Sequence, residues 1–383
     1  MFGCPPVRLP VMPGRVLIGR VLAAGALLLA GCEGSHATLQ YTAGAKVDCG
    51  GKQTLVASGS TAQAYAMAKF VEAYVKACPS QNLNYTANGS VGGIADFLAG
   101  KTDLGGSDVP LTADQYAAAK QRCAGADAWN LPVVFGPVAI TYNLPTVDNL
   151  VLDAPTMVKI FEGTITRWDD PALTSLNASL PAEDIHVVYR SDESGTSQIF
   201  EEYLQTVSGG AWNRGTGTKF GGGAGMGAVG NKGTAALVKA TEGAISYNEL
   251  SFALQQGLFA AEIKTPASRR SLRPVRIGTD TIGKTIAGAR IVGTGNDLVL
   301  DTSSFYNPAQ PDVYPIVHAT YEIVCSRYPS EEARAVKAFL QAAIGPGQVE
   351  LAKIGYIPLS PAFQSRVSSA VDAIGAVGGQ LQE

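Results

Sequence analysis

Arg190, Asp192, Ser194, Gly195 and Thr196 lie within seven residues, where the run Val187-Val188 gives way to apolar residues at helical spacing, Ile199, Phe200, Tyr203 and Leu204. A helix starting here presents unpaired N–H groups and the positive end of its dipole, and both favour a bound anion. Arg190 can add a forked, permanently charged donor, and Asp192, two residues on, can hold that fork in place. An ordinary capping turn with a surface ion pair would use the same residue types. The anion reading gains weight because the chain repeats the arrangement twice more: a strand, a turn of small hydroxyl residues, then a helix. Thr61 and Ala62 follow the strand-like Gln53–Ala57, and Ser90 follows Leu83–Ala87, each ahead of an apolar stripe of helical period.

Asp108 is the informative exception in this set. A carboxylate only accepts hydrogen bonds, so it repels a fully deprotonated anion such as sulfate. Phosphate near neutral pH still carries a proton that it can donate. A buried acceptor facing the ligand would therefore admit phosphate and exclude sulfate by setting charge against charge. The competing role for Asp108, ahead of Val109-Pro110-Leu111, is to cap a turn.

These residues need a scaffold of alternating strands and helices. A strand at Gln53–Ala57 leads to a helix over Ala62–Cys78, with Met67, Phe70, Val71, Tyr74 and Val75 as its apolar stripe. A second strand at Leu83–Ala87 leads to a helix carrying Ile94, Phe97 and Leu98, and a third, short strand ends at Asp108. Such alternation predicts parallel α/β sheets with the ligand beyond the carboxyl ends of the strands. Two long extended runs, Trp129–Asn143 and Tyr314–Cys325, are each long enough to leave one domain and enter another. They predict two lobes joined by a two-strand hinge, residues 47–140 with 320–383 and residues 141–319, closing on a ligand by hinge bending. Residues 208–233 hold 11 glycines and read as a flexible insertion in the second lobe, without a phosphate-cradling pattern.

The N-terminus reads as a leader to be removed. Arg8, Arg15 and Arg20 precede the apolar run Val21–Ala30, which has the length of a signal-peptide core and is too short to span a bilayer. Leu29-Ala30-Gly31-Cys32 resembles a bacterial lipobox, in which cleavage leaves Cys32 as the lipid-bearing N-terminus. On this reading 1–31 is a lipoprotein signal peptide, started at Met1 or Met12, and 32–46 a lipid-anchored tether. The leader removes three of the 29 basic residues and no acidic ones, leaving 26 basic against 32 acidic, a formal charge of −6. Nothing here suits nucleic acid, and an anion must be held by local geometry against the overall field. Beyond Cys4 and Cys32 there remain Cys49, Cys78, Cys123 and Cys325, an even set that favours two disulfides outside the cytoplasm, with three pairings open. Without Cys-x-x-Cys and with only three histidines, the chain calls for no metal and no cofactor.

Gly59-Ser60-Thr61-Ala62, Asn88-Gly89-Ser90-Val91-Gly92-Gly93, Asp103-Leu104-Gly105-Gly106-Ser107-Asp108, Trp168-Asp169-Asp170-Pro171, Arg190–Thr196 and Gly243-Ala244-Ile245-Ser246-Tyr247 occur in one order along the chain. Together they resemble the phosphate-binding lipoproteins of high-affinity phosphate ABC transporters, the PstS family, in actinobacterial form. The resemblance implies a type II periplasmic-binding-protein fold with phosphate buried between the lobes. It also implies a monomer, held at the outer face of the membrane by its lipid, that passes phosphate to permease subunits driven by a cytoplasmic ATPase. Carried over by position, Thr61 gives a hydroxyl, Ala62 a backbone N–H, and Ser90 a hydroxyl and its N–H. Asp108 accepts the phosphate proton. Arg190 donates its fork, held by Asp192, and Ser194, Gly195 and Thr196 supply donors at a helix start. Two residues depart from the family. Ala62 stands where a bulky side chain is common, and Glu193 replaces a frequent glycine and is expected to point outward.

Three rival readings are weaker. Gly278-Thr279-Asp280-Thr281-Ile282-Gly283-Lys284-Thr285 matches the P-loop pattern, with Leu298–Asp301 passable as a downstream strand, yet it lacks the buried strand that must precede it. A serine hydrolase or extracellular phosphatase finds no Gly-x-Ser-x-Gly at Ser90 or Ser194 and no histidine base in any motif segment. A receptor for another tetrahedral oxyanion is the nearest rival, and Asp108 argues against it.

Overall fold

The computed structural model describes residues 46–268 and 273–377. The residues read as a signal peptide, Cys32 and those read as a tether up to residue 45 lie outside them. Among the described residues no helix is long and apolar enough to cross a membrane.

A nine-stranded mixed sheet runs through the molecule. Strand Thr54–Gly59 pairs in parallel with Asn82–Thr86 on one side and Leu104–Ser107 on the other. Leu104–Ser107 then meets Val317–Cys325 antiparallel, and Val317–Cys325 meets the fifteen-residue strand Ala128–Tyr142, also antiparallel. Up to Pro137 this long strand pairs with Val317–Cys325; from Val138 to Tyr142 it pairs with Ala244–Glu249 instead. Beyond it, His186–Arg190 lies parallel to both Ala244–Glu249 and Met226–Ala228. Two α/β halves are thus joined through a pair of long antiparallel strands, as the two extended runs of the sequence anticipate. Those strands are buried almost throughout, which is why they read as unbroken apolar runs rather than alternating ones. The register slips between Thr320 and Tyr321, opposite Pro132 and Val134. A proline cannot donate to a ladder and is tolerated at such a bulge.

Glycines let the motif segments converge. A Cβ on Gly59, whose φ is +150°, would lie 2.0 Å from the Gly106 carbonyl oxygen, and one on Gly93 would lie 2.4 Å from Gly59 Cα. Strands Thr54–Gly59 and Leu104–Ser107 and helix Ser90–Leu98 therefore touch backbone to backbone, and Ser60, Ser90 and Asp108 emerge at one point.

Helix Ala64–Ala77 buries Ala66, Met67, Phe70 and Tyr74 along one face. It starts two residues later than the expected Ala62, and Thr61 and Ala62 form the turn before it. The Gly-rich stretch also differs from the expectation of a flexible insertion: its end forms strand Met226–Ala228 and the first turn of helix Gly230–Ala240. Two disulfides close, Cys49–Cys78 and Cys123–Cys325, resolving the three pairings. The P-loop look-alike is no loop. Gly283, Lys284 and Thr285 lie inside helix Thr279–Ala287, Thr285 Oγ1 donates to the Tyr314 carbonyl at 2.6 Å, and Lys284 pairs with Asp312.

Candidate functional site

Arg190 ends its strand with its guanidinium fully turned inward, only 2% exposed. Its Nε donates to Asp192 Oδ1 at 2.8 Å and its Nη2 to Asp192 Oδ2, while Nη1 reaches Thr196 Oγ1 at 3.4 Å. Asp192 Oδ1 also accepts the Gly230 N–H at 2.9 Å. Burial pushes the Asp192 carboxyl upward, but the Arg190 hydrogen bonds and charge and the Gly230 N–H outweigh it and hold the group below its ordinary value. Arg190 is thus a fixed cation. From behind, Tyr247 OH accepts the Arg190 N–H at 3.3 Å and bonds Ser197 Oγ at 2.8 Å, which gives the Gly243–Tyr247 motif a positioning task.

Helix Gly195–Val207 starts beside this cation. Ser194 is its N-cap, and its Oγ accepts the Ser197 N–H at 3.3 Å. The Ser194 N–H is spent on the Thr218 carbonyl at 2.8 Å, so Ser194 offers its hydroxyl rather than its backbone. Gly195 and Thr196, the first helical residues, carry N–H groups that no intrahelical carbonyl takes. A Cβ on Gly195 would lie 2.7 Å from Ser90 Oγ and 2.8 Å from Asp108 Cβ. The start of this helix in one half therefore abuts the start of helix Ser90–Leu98 in the other, and only glycine fits between them. Glu193 turns its carboxylate outward to Lys219, 3.2 Å away.

Asp108 is 4% exposed, and its two oxygens differ. Oδ1 accepts Ser60 Oγ at 2.7 Å and Thr320 Oγ1 at 2.9 Å, with His318 Nδ1 at 3.5 Å. Oδ2 has one long contact, with Ser90 Oγ at 3.4 Å. One oxygen is saturated from the hinge side and the other is left as an acceptor beside Ser90 and Gly195. His318 is fully buried, and burial holds its imidazole below the ordinary value despite the nearby Asp108, so the ring facing Asp108 at neutral pH is uncharged.

Thr61 Oγ1 accepts from the Asn231 backbone N–H and from Asn231 Nδ2, both at 3.2 Å. Ala62 is buried, its N–H bonded to Ser60 Oγ at 3.0 Å and its carbonyl to Tyr356 OH at 2.5 Å. The expected residues thus come together around one buried point, and the start of a further helix joins them. Helix Gly230–Ala240 brings Asn231 against Thr61, which with Ala62 forms the turn leading into helix Ala64–Ala77. Ser60, Asn231, Thr320 and His318 were not singled out by the sequence. Ser60 lies inside the Gly59–Ala62 motif, but nothing marks Asn231, which lies within the glycine-rich stretch, or Thr320, which sits mid-strand. Among the described residues there is no cluster of His, Cys, Asp or Glu that could hold a metal ion.

The family model for the PBP superfamily domain matches residues 44–344. Phosphate-binding protein PstS 3 of Mycobacterium tuberculosis is 59% identical over 363 residues, covering 92% of this chain and 97% of that one. The Mycobacterium leprae PstS 3 protein is 56% identical over 362 residues with the same coverage. Among solved structures, the phosphate-bound periplasmic phosphate-binding protein PfluDING superposes with a TM-score of 0.66 at 19% identity, over 83% of this chain and 93% of that one, and shares the two-lobed fold. With identity of this extent over nearly its whole length, the chain belongs to the PstS family of phosphate-binding proteins within the PBP superfamily.

Proposed function

We propose that this chain captures inorganic phosphate outside the cytoplasmic membrane and delivers it to the permease subunits of an ABC transporter for import, without chemistry on the ligand. The observation that carries the reading is the asymmetry of Asp108. A site walled by donors, with one buried oxygen left to accept, suits an anion that still holds a proton. The names of the mycobacterial relatives support the same ligand. In this reading Arg190 donates its fork, held by Asp192. Thr61, Ser90, Ser194 and Thr196 give hydroxyls, Gly195, Thr196 and Ser90 give N–H groups, and Ala62 lends its N–H when Ser60 releases it. Phosphate lies between lobes formed by 47–140 with 320–383 and by 141–319. Cys32 carries the lipid that tethers a monomer to the membrane.

Calorimetric titration of the phosphate-stripped protein with phosphate, then sulfate, at neutral pH tests this. One-to-one phosphate binding with no response to sulfate is the expected result. Equal binding of both would leave an oxyanion receptor but remove the role given to Asp108, and binding of neither would overturn the proposal. For the anchor, Cys32→Ala is expected to release the protein from the membrane fraction.

A further inference from the structure

Asn231, the second residue of helix Gly230–Ala240, is completely buried and bridges hydroxyls that belong to different halves of the molecule. Its backbone N–H and its Nδ2 both donate to Thr61 Oγ1, and Nδ2 also donates to Thr196 Oγ1 at 3.3 Å. The amide orientation is fixed chemically. Its Oδ1 accepts the Glu249 backbone N–H at 2.9 Å, and because that group can only donate, the NH₂ must face the threonines.

A hydroxyl has one proton to give and two lone pairs to receive. Both lone pairs of Thr61 Oγ1 are taken by Asn231, and those of Thr196 Oγ1 by Asn231 Nδ2 and Arg190 Nη1. Each hydroxyl can then act outward only as a donor. We propose that Asn231 is a positioning residue that commits Thr61 and Thr196 to donate toward the ligand, and that it latches the two halves together while doing so. Resting on the phosphate reading of the site, this adds a specificity element that touches the ligand only through its neighbours. Because Thr61 belongs to one half and Asn231 to the other, the bonds form only when the halves meet. The latch therefore slows ligand escape and leaves capture untouched.

Stopped-flow rates of phosphate binding and release, with melting of the phosphate-free protein, test the idea on the wild type, Asn231→Ala and Asn231→Asp. Asn231→Ala is expected to release phosphate about tenfold faster, with an association rate within about twofold of wild type, and to lower the phosphate-free melting temperature because the Glu249 N–H loses its buried acceptor, which Asn231→Asp retains. Asn231→Asp, nearly isosteric, is expected to lose more, because its carboxylate would draw both hydroxyl protons away from the ligand and face the anion with like charge. Unchanged release in both variants would overturn the proposal. So would equal losses in both that track a lowered phosphate-free melting temperature, which would mark Asn231 as merely structural. A wild type that binds no phosphate would overturn the functional reading along with it, whereas a wild type that binds while the variants match it sinks the latch alone.

Discussion

At the scale of single residues, the saturation of Asp108 Oδ1 decides what a substitution there will do. In Asp108→Asn, the Ser60 and Thr320 hydroxyls that now donate to Oδ1 would keep the amide oxygen on their side. The new NH₂ would then face the ligand and turn the site's one acceptor into a donor. Sulfate binding is expected to appear, with phosphate weakened, and competition calorimetry between the two anions measures the change. Arg190→Ala removes the charged fork and leaves the half-buried Asp192 carboxylate with only its Gly230 N–H bond, so phosphate affinity is expected to fall by about a hundredfold or more. Arg190→Lys should recover only part of this, since an ammonium cannot make the same pair of bonds to Asp192. The residue types that do such chemistry were legible wherever they stood in short, motif-like stretches. Asn231 and Thr320 were not, because each acts on a neighbour through a contact that spans more than a hundred residues of chain.

At the scale of elements, strand and helix alternation and the two long runs could be read from apolar period alone. The start of helix Ala64–Ala77 could not: its apolar stripe begins only at Met67, inside the helix, and turn residues 61–63 carry no breaker to mark the boundary. The order within the Gly-rich stretch was hidden for a related reason. Glycine-rich composition suggests flexibility, whereas here parallel pairing with Val188–Arg190 and the Gly230 bond to Asp192 fix the chain. The glycines of the first half have a steric task that predicts its own test. Gly93→Ala would place a Cβ within 2.4 Å of Gly59 Cα, a backbone atom that cannot swing aside. Overpacking of this kind costs about 1–3 kcal/mol. Urea unfolding should report that loss, and phosphate affinity should fall with it, because Ser90 and Asp108 depend on the same close approach.

Across the whole molecule, three buried carboxyl groups set the response to pH. Burial pushes Glu201 up to about 7, against the opposing N–H bonds from Gly221 and Gly217. It pushes Glu322 up to about 8, and Glu249 well above its ordinary value. A carboxyl whose folded pKa lies above its unfolded one binds its proton more tightly when folded. Its contribution is therefore most favourable below about pH 4.5 and declines as pH rises toward the folded value. Stability is expected to fall between about pH 5 and 8, with a limiting slope of about 1.4 kcal/mol per pH unit for each group titrating. Glu322→Gln should flatten the upper part of that decline. Chemical denaturation at several pH values measures both curves, and a stability that rises through this window would contradict the assignment. None of this was legible beforehand, since burial of Glu249 and Glu322 depends on which sheet positions their strands occupy, and burial of Glu201 on what packs against its helix.

The Cys123–Cys325 bond has a further consequence. Its cysteines are 202 positions apart, and the chain between them supplies all of the second half, so that half hangs on the first as a closed covalent ring. One cut anywhere within the ring, such as beside the exposed Gly209 and Gly210, would open it without dividing the molecule. A protease-nicked protein should therefore run as one species until a reductant is added and as two fragments afterwards. Having lost a peptide bond but no covalent tie between its halves, it should still close on its anion.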